Sequence, residues 1–251
     1  MKRIVSIILA AAMLCTAALA FTSCGGSGDN KDAKKELHMA TNAFFEPYEY
    51  YEGKEVVGID AEIAKAICDK LGYELVIDDM DFDSIITAVT SGKADFGMAG
   101  MTVTDERKKS VDFTDSYTTA TQVIIVPEKD AKVTDSKTLE TATIGVQLGT
   151  TGDLYVSDLK KAKIERFNKG GDAVLALAQG KVDAVVIDNE PAKAFVKANK
   201  GLKILDEPFA DEDYAICLAK GSELTEEING ALKELKDDGT VQKIVDKYIN
   251  K

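Results

Sequence analysis

Three short segments of the sequence combine side chains of opposite charge with hydroxyls and glycines. Residues 99–107 read Ala-Gly-Met-Thr-Val-Thr-Asp-Glu-Arg and place the Thr102 hydroxyl close in sequence to the Arg107 guanidinium. Residues 147–153 supply a glycine-containing helix start, and Asp188 closes an apolar run. A guanidinium and free helix amides bind a carboxylate, whereas a carboxylate binds an ammonium. Brought together, the three segments would suit a small zwitterion.

Each of these residues also has a plainer interpretation when it is taken alone. Residues 104–109 have the pattern of a solvated helix start with Thr104 as its N-cap, because runs of charge usually face water. Asp188 likewise suits a cap for the helix that carries residues 192–196. The choice between the two interpretations depends on whether the fold brings the segments to one place.

Composition narrows the classes of function. The chain has 251 residues, of which 45% are hydrophobic, enough for one or two folded domains. Its formal net charge of -12 repels phosphate backbones, so nucleic acid is not an expected partner. The sequence has one histidine, His38, and no Cys/His/Asp cluster with metal-ligand spacing. We therefore expect no metal site and no catalysis that depends on imidazole.

The three segments follow predicted strands in an α/β pattern. The opening strand–helix–strand order recurs in the second half of the chain, which predicts a second unit of the same kind. From apolar spacing we predict strands over 37–41, 73–77, 143–147, 163–167, 204–206 and 214–219. The predicted helices are 60–71, one that starts at residue 150, 223–236 and 240–249.

Two segments, 85–96 and 173–184, resemble each other. In both, an apolar helix ends at a glycine, a lysine follows, and an aspartate leads into an apolar strand. Gly92 and Gly180 suit the left-handed position after a helix. The repeat predicts two α/β lobes built alike, with mostly parallel sheets, whose strand ends and loops face one cleft.

The N-terminus has the pattern of an export signal. Two basic residues precede an apolar run over 4–20, which is too short for a stable membrane span. The sequence Phe-Thr-Ser-Cys at 21–24 resembles a bacterial lipoprotein box, so we predict a signal peptide over 1–23 and a lipid on Cys24. Residues 24–36 then form a flexible tether. Cys68 and Cys217 lie among apolar neighbours and are predicted to be buried free thiols rather than a disulfide.

The chain from residue 37 to 251 closely resembles the family 3 bacterial solute-binding proteins of polar amino-acid ABC importers. The motifs that carry the resemblance are 58–67, 99–109 with 111–114, Gly-Thr-Thr at 149–151, and Val-Val-Ile-Asp at 185–188. The resemblance implies an α/β, two-lobed periplasmic-binding-protein-like fold of type II, with a two-strand hinge and a ligand cleft between the lobes. It also implies lobe 1 at 37–117 and 216–251, lobe 2 at 122–211, and hinges near 117–121 and 212–216.

The same resemblance assigns roles to residues. Arg107, Thr102 and the Thr151 amide would hold the α-carboxylate, and Asp188 with Gly100 would hold the α-ammonium. An aromatic pair would enclose the side chain. The full set of implied ligand-binding residues is Asn42, Phe45, Phe82, Ala99, Gly100, Thr102, Arg107, Gln147, Thr150, Thr151 and Asp188.

The implied function is an exported, membrane-anchored, non-catalytic subunit that passes an amino acid to an ABC permease, as a monomer without cofactor. Asn42 and Gln147 offer neutral hydrogen bonds and favour a neutral polar side chain such as glutamine slightly over a basic one. Glu46, Glu49 and Asp81 are close enough in sequence to supply charge for a basic ligand. A dehydratase-like enzyme of the same fold and an amino-acid sensor are the alternatives.

Overall fold

A computed structural model describes residues 35–249 of the chain. The predicted signal peptide, Cys24 and the tether up to residue 34 lie outside the described residues. Within residues 35–249, no helix has both the length and the apolar content needed to cross a lipid bilayer.

Five strands form the first sheet. They are β1 (Glu36–Thr41), β5 (Glu74–Asp79), β6 (Phe96–Gly97), β7 (Val111–Phe113) and β14 (Cys217–Ala219), in the spatial order β5-β1-β6-β14-β7. A small antiparallel sheet lies between β1 and β5 in sequence and is made of β2 (Phe44–Phe45), β3 (Glu49–Glu52) and β4 (Glu55–Val57).

A further set of strands forms the second sheet. They are β8 (Thr118–Pro127), β9 (Thr143–Gln147), β10 (Lys163–Phe167), β11 (Ala184–Asp188), β12 (Leu202–Ile204) and β13 (Ala210–Tyr214). Their order is β10-β9-β11-β8-β12, and β13 also pairs with β8. The chain therefore passes from the first sheet to the second along β8, and it returns from β13 to β14.

Helices cover both faces of the two sheets. On the first sheet, α1 (Ile59–Leu71), α6 (Leu224–Asp237) and α7 (Thr240–Ile249) pack together on one side, and α2 (Ile85–Thr90) packs on the other. On the second sheet, α3 (Thr151–Ser157) covers one face, and α4 (Gly170–Ala178) and α5 (Asn189–Ala198) cover the other. The α/β two-lobed prediction is thus confirmed.

The aspartate of the predicted repeat accepts a hydrogen bond from a strand amide in both sheets. Asp95 accepts a hydrogen bond from the His38 amide of β1 at 2.7 Å, and Asp183 accepts one from the Thr143 amide of β9 at 2.9 Å. The glycines before them, Gly92 and Gly180, have φ of 73° and 69°, so their predicted left-handed conformation is confirmed.

Two expectations about the strands were wrong. The sheets are not mostly parallel, because β14 in the first sheet and β8, β12 and β13 in the second pair antiparallel with their neighbours. β8, β13 and β14 belong to the passages between the sheets, which lack the helical crossover that a parallel pair needs. β12 follows α5 within the second sheet and pairs with β8 in the antiparallel direction. The strand predicted over 214–219 is two strands, and Ala215 and Ile216 between them join the second sheet to the first.

Both cysteines of the described part behave as predicted. Cys68 and Cys217 are buried and free. Cys217 packs against Gly97, where a side-chain methyl would meet its sulfur at 2.7 Å. Burial raises the pKa of the Cys217 thiol to about 12, so it packs as a small apolar side chain.

Candidate functional site

Residues from both sheets line one narrow cavity. Every ligand-binding residue predicted from the sequence lies in its lining, and Glu49 joins them. The lining residues are Asn42, Phe45, Glu49, Phe82, Ala99, Gly100, Thr102, Arg107, Gln147, Thr150, Thr151 and Asp188.

Arg107 points into this cavity from the first sheet. It opens a short 3-10 turn, Arg107–Lys109, that precedes β7, and its amide donates to the Thr104 hydroxyl at 3.1 Å. The guanidinium donates to the carbonyls of Thr102 at 2.7 Å and Gly149 at 3.1 Å, and only 7% of the residue is exposed. Arg107 is therefore not part of a solvated helix start, and its remaining N–H groups are available to an anion.

Asp188 lies at the other side of the cavity, at the C-terminal end of β11. It precedes α5, but its side chain makes no cap hydrogen bond, so the interpretation as a helix cap does not hold. Instead it accepts a hydrogen bond from the Tyr214 hydroxyl. Burial, together with the negative charge of Glu212 nearby, raises the pKa of the Asp188 carboxyl to about 8.

The second sheet supplies polar groups opposite Arg107. Thr150 caps α3, with its hydroxyl accepting from the Asp153 amide at 3.3 Å, and Thr151 is the buried first residue of that helix. Gln147 at the end of β9 donates to the Asn42 side-chain oxygen at 2.9 Å, across the cavity. The ends of β1 and β9 therefore meet directly through these two amides.

Two aromatic rings complete the lining, as predicted. The Phe82 ring lies under the Arg107 guanidinium at 5.4 Å and so provides a cation–π contact on one side. The Phe45 ring lies close to Gly100, which has φ 53° and would bring a methyl group to 3.0 Å from that ring. Only glycine fits there without strain, since both the backbone and the space exclude a side chain.

Glu49 is the lining residue that the sequence analysis did not assign to the site. It is 1% exposed, and its Oε2 has no hydrogen-bond partner among the described residues. Burial raises the pKa of Glu49 well above its usual range, and the neighbouring Asp60 carboxylate raises it further. Its position in the hairpin could have identified it, because β3 pairs Glu49 directly with Phe45 of β2.

The other two acids considered for a basic ligand lie elsewhere. Glu46 is exposed, and Asp81 is exposed and accepts a hydrogen bond from the Asn168 amide at 2.9 Å. Phe44 is also outside the lining, with the Lys169 ammonium 3.3 Å from its ring centroid. Glu49 is therefore the candidate counter-charge inside the cavity.

Two α/β sheets that enclose a small cavity, with a buried arginine on one side and a buried aspartate on the other, define a two-lobed solute-binding protein. Comparison with known proteins agrees. The chain belongs to the bacterial extracellular solute-binding proteins, family 3, whose model matches residues 37–251.

Three similar proteins illustrate the family. The arginine-binding extracellular protein ArtP of Bacillus subtilis (strain 168) is 40% identical, over 91% of this chain and 92% of that protein. A solved structure of an ancestral arginine-binding protein bound to arginine is 42% identical, with a TM-score of 0.82 over 86% of this chain and 98% of the other. A second, of an ancestral arginine-binding protein bound to glutamine, is 42% identical, with a TM-score of 0.83 over 87% and 99%.

Proposed function

We propose that the protein is the amino-acid-binding subunit of an ABC importer and holds an L-amino acid by both of its α-charges. One observation carries the proposal: Arg107 and Asp188, a buried basic and a buried acidic side chain from different sheets, line one cavity. Charged ligand groups removed from water need partners that are already in place. A zwitterion supplies the matching pair, and its binding would draw the two sheets together.

We propose a role for each group in the lining. The α-carboxylate would lie against the free N–H groups of Arg107, with the Thr102 hydroxyl and the Thr151 amide beside it. The α-ammonium would donate to Asp188 and to the Gly100 carbonyl. We propose lobe 1 as residues 37–117 and 216–251, lobe 2 as 122–211, and hinges near 117–121 and 212–216.

We propose a basic side chain, that of arginine, as the preferred ligand class, with glutamine as the second candidate. Asn42 and Gln147 on their own favour a neutral polar side chain, whereas the Glu49 carboxyl in the same cavity favours a basic one. A buried carboxyl without a hydrogen-bond donor is matched by a guanidinium, which can donate to it through two parallel N–H groups. The two solved structures of ancestral arginine-binding proteins, one bound to arginine and one bound to glutamine, support keeping both candidates.

The second part of the proposed function is attachment of the protein to the membrane. We propose that Cys24 carries a lipid that anchors the exported protein beside its permease, and that the protein is a monomer without catalytic activity. A Cys24→Ala variant should move from the membrane to the soluble fraction. Retention of that variant in the membrane fraction would count against the anchor.

The binding proposal is tested by calorimetric titration with the twenty amino acids. Arg107→Ala should lose binding of every ligand, because a buried carboxylate would then lack its counter-charge. Lys109→Ala is the matched control, since Lys109 lies on the same turn with an exposed side chain paired to Glu106. Equal affinity in Arg107→Ala and Lys109→Ala, or no heat with any amino acid, would refute the proposal. Recovery of a chemically changed ligand would favour the enzyme alternative.

A further inference from the structure

Glu212 is a second buried carboxylate behind Asp188, and the proposed contacts to the ligand do not use it. It lies on β13 two residues before Tyr214, so both side chains project from the same face of the strand. Glu212 Oε2 accepts hydrogen bonds from the Thr102 hydroxyl at 2.9 Å and from the Gln122 side-chain amide at 3.1 Å. Glu212 therefore contacts one residue of the proposed carboxylate site and faces the proposed ammonium acceptor.

The carboxyl groups of Glu212 and Asp188 are close enough to interact through charge and through a side-chain hydrogen bond. Glu212 Oε1 is buried, and no N–H or hydroxyl of the described residues donates to it. A proton on Asp188 would satisfy this oxygen, because two adjacent buried carboxylates are costly when both are ionised. The other titratable groups that act on the pair are Arg107, Tyr155, Tyr214, Tyr48 and Glu49.

We propose that Glu212 makes ligand binding proton-linked: its carboxylate favours a proton on Asp188 in the free protein, and the ligand's α-ammonium displaces that proton. The inference rests on the proposed function. On binding, the O–H bond of Asp188 breaks, the proton passes to a buffer base, and an ammonium N–H donates to the freed carboxylate. The ammonium replaces both the positive charge and the donor that the proton provided. Glu212 acts through Asp188 and is a positioning residue.

Affinity should therefore depend on pH. The pKa of Asp188 is about 8 in the ligand-free protein, so most molecules must release this proton at neutral pH. A one-proton exchange weakens binding about tenfold for each pH unit below that pKa. From pH 8 to pH 6 the affinity should fall about 50-fold. Stronger binding at higher pH is the direction expected for a proton that binding releases.

The experiment is calorimetric titration of the wild-type protein with L-arginine at pH 7 in phosphate and in Tris, which differ in ionisation enthalpy. The Glu212→Gln variant keeps an oxygen acceptor for Thr102 and Gln122 but removes the second carboxyl. On binding L-arginine, this variant should release about one proton fewer than the wild-type protein. The change in its affinity between pH 6 and pH 8 should be at least tenfold smaller than in wild type. Asp211→Asn is the matched control: it removes an exposed carboxylate from the same strand and should leave the release unchanged.

The outcomes separate this inference from the proposed function. Absence of heat with any amino acid in the wild-type protein refutes the function. Binding with no proton release, or equal release in wild type and Glu212→Gln, overturns the proton linkage and leaves the function standing. If Glu212→Gln does not fold, the wild-type protein still decides, because equal affinities at pH 6 and pH 8 also overturn the linkage.

Discussion

Replacement of Glu49 by glutamine should weaken the binding of arginine and should stabilise the ligand-free protein. Glu49 is buried beside the Asp60 carboxyl, and each of the two groups has an oxygen without a hydrogen-bond partner in the described structure. A glutamine has the same shape, carries no charge and can donate an N–H to Asp60. The change therefore removes the proposed counter-charge for a basic ligand and also removes a source of strain.

The loss of arginine affinity follows from the burial of this site. Removing one partner of a buried ion pair costs about 3–5 kcal/mol. Burial and the Asp60 charge raise the pKa of Glu49, so wild-type Glu49 must first release a proton before it can pair with a cation. The free energy of that release offsets part of the cost. We therefore expect the lower end of the range, about 100-fold in Kd. Glutamine binding should change by less than about threefold, since its side chain is neutral in either case.

Stability without ligand should change in the other direction. The folded-state pKa of Glu49 lies above its unfolded value, so stability is lost as pH rises through the window between them. At pH 7 the wild-type protein bears this cost and Glu49→Gln does not. The melting temperature of the ligand-free variant should rise, by about 2–4 °C for each kcal/mol recovered.

Calorimetry with arginine and glutamine, and thermal melts without ligand, measure both effects. Glu46→Gln is the matched control, because Glu46 belongs to the same hairpin but is exposed, and it should change neither quantity. Unchanged arginine affinity in Glu49→Gln would refute the counter-charge role. A lower melting temperature would refute the claim that the buried carboxyl destabilises the free protein.

Three further predictions follow. Burial raises the pKa of Asp60 to about 6, so the ligand-free protein should lose stability as pH rises from about 4 to 6, and urea titrations of Asp60→Asn should show a smaller loss. Tyr214→Phe removes the hydroxyl that donates to Asp188 and should weaken ligand binding about 10- to 100-fold by calorimetry. Gly100→Ala should lower the melting temperature and block the cavity, because it adds a methyl group beside Phe45.

An Asp60→Asn variant with the wild-type pH profile would show that Asp60 titrates normally. Unchanged affinity in Tyr214→Phe would show that its hydroxyl does not help Asp188 to hold the ligand. A Gly100→Ala variant with wild-type stability and affinity would show that the loop adapts at little cost.

Local sequence features predicted a large part of the fold. The helices predicted over 60–71 and 240–249 match α1 and α7 to within a residue, because an apolar stripe with helical spacing is a property of a short segment. The glycine stop that ends α1 is equally local. The strands that pass between the sheets were less predictable. Their pairing direction depends on contacts with strands that are distant in the sequence, so no local pattern of residues predicts it.

The sequence by itself determined the residues that line the cavity near the ends of strands. Arg107 lies in the loop between β6 and β7, and Asp188 is the last residue of β11. Both belong to recognisable motifs, so their chemistry can be derived from neighbouring residues. Only the tertiary structure determined the burial and the contacts of Glu49 and Glu212. Glu49 is buried by its hairpin against the Asp60 carboxyl, and Glu212 meets Thr102 from 110 positions away in the chain. Burial and like-charge contact, which raise the pKa values of Glu49 and Asp188, arise only when distant segments pack together.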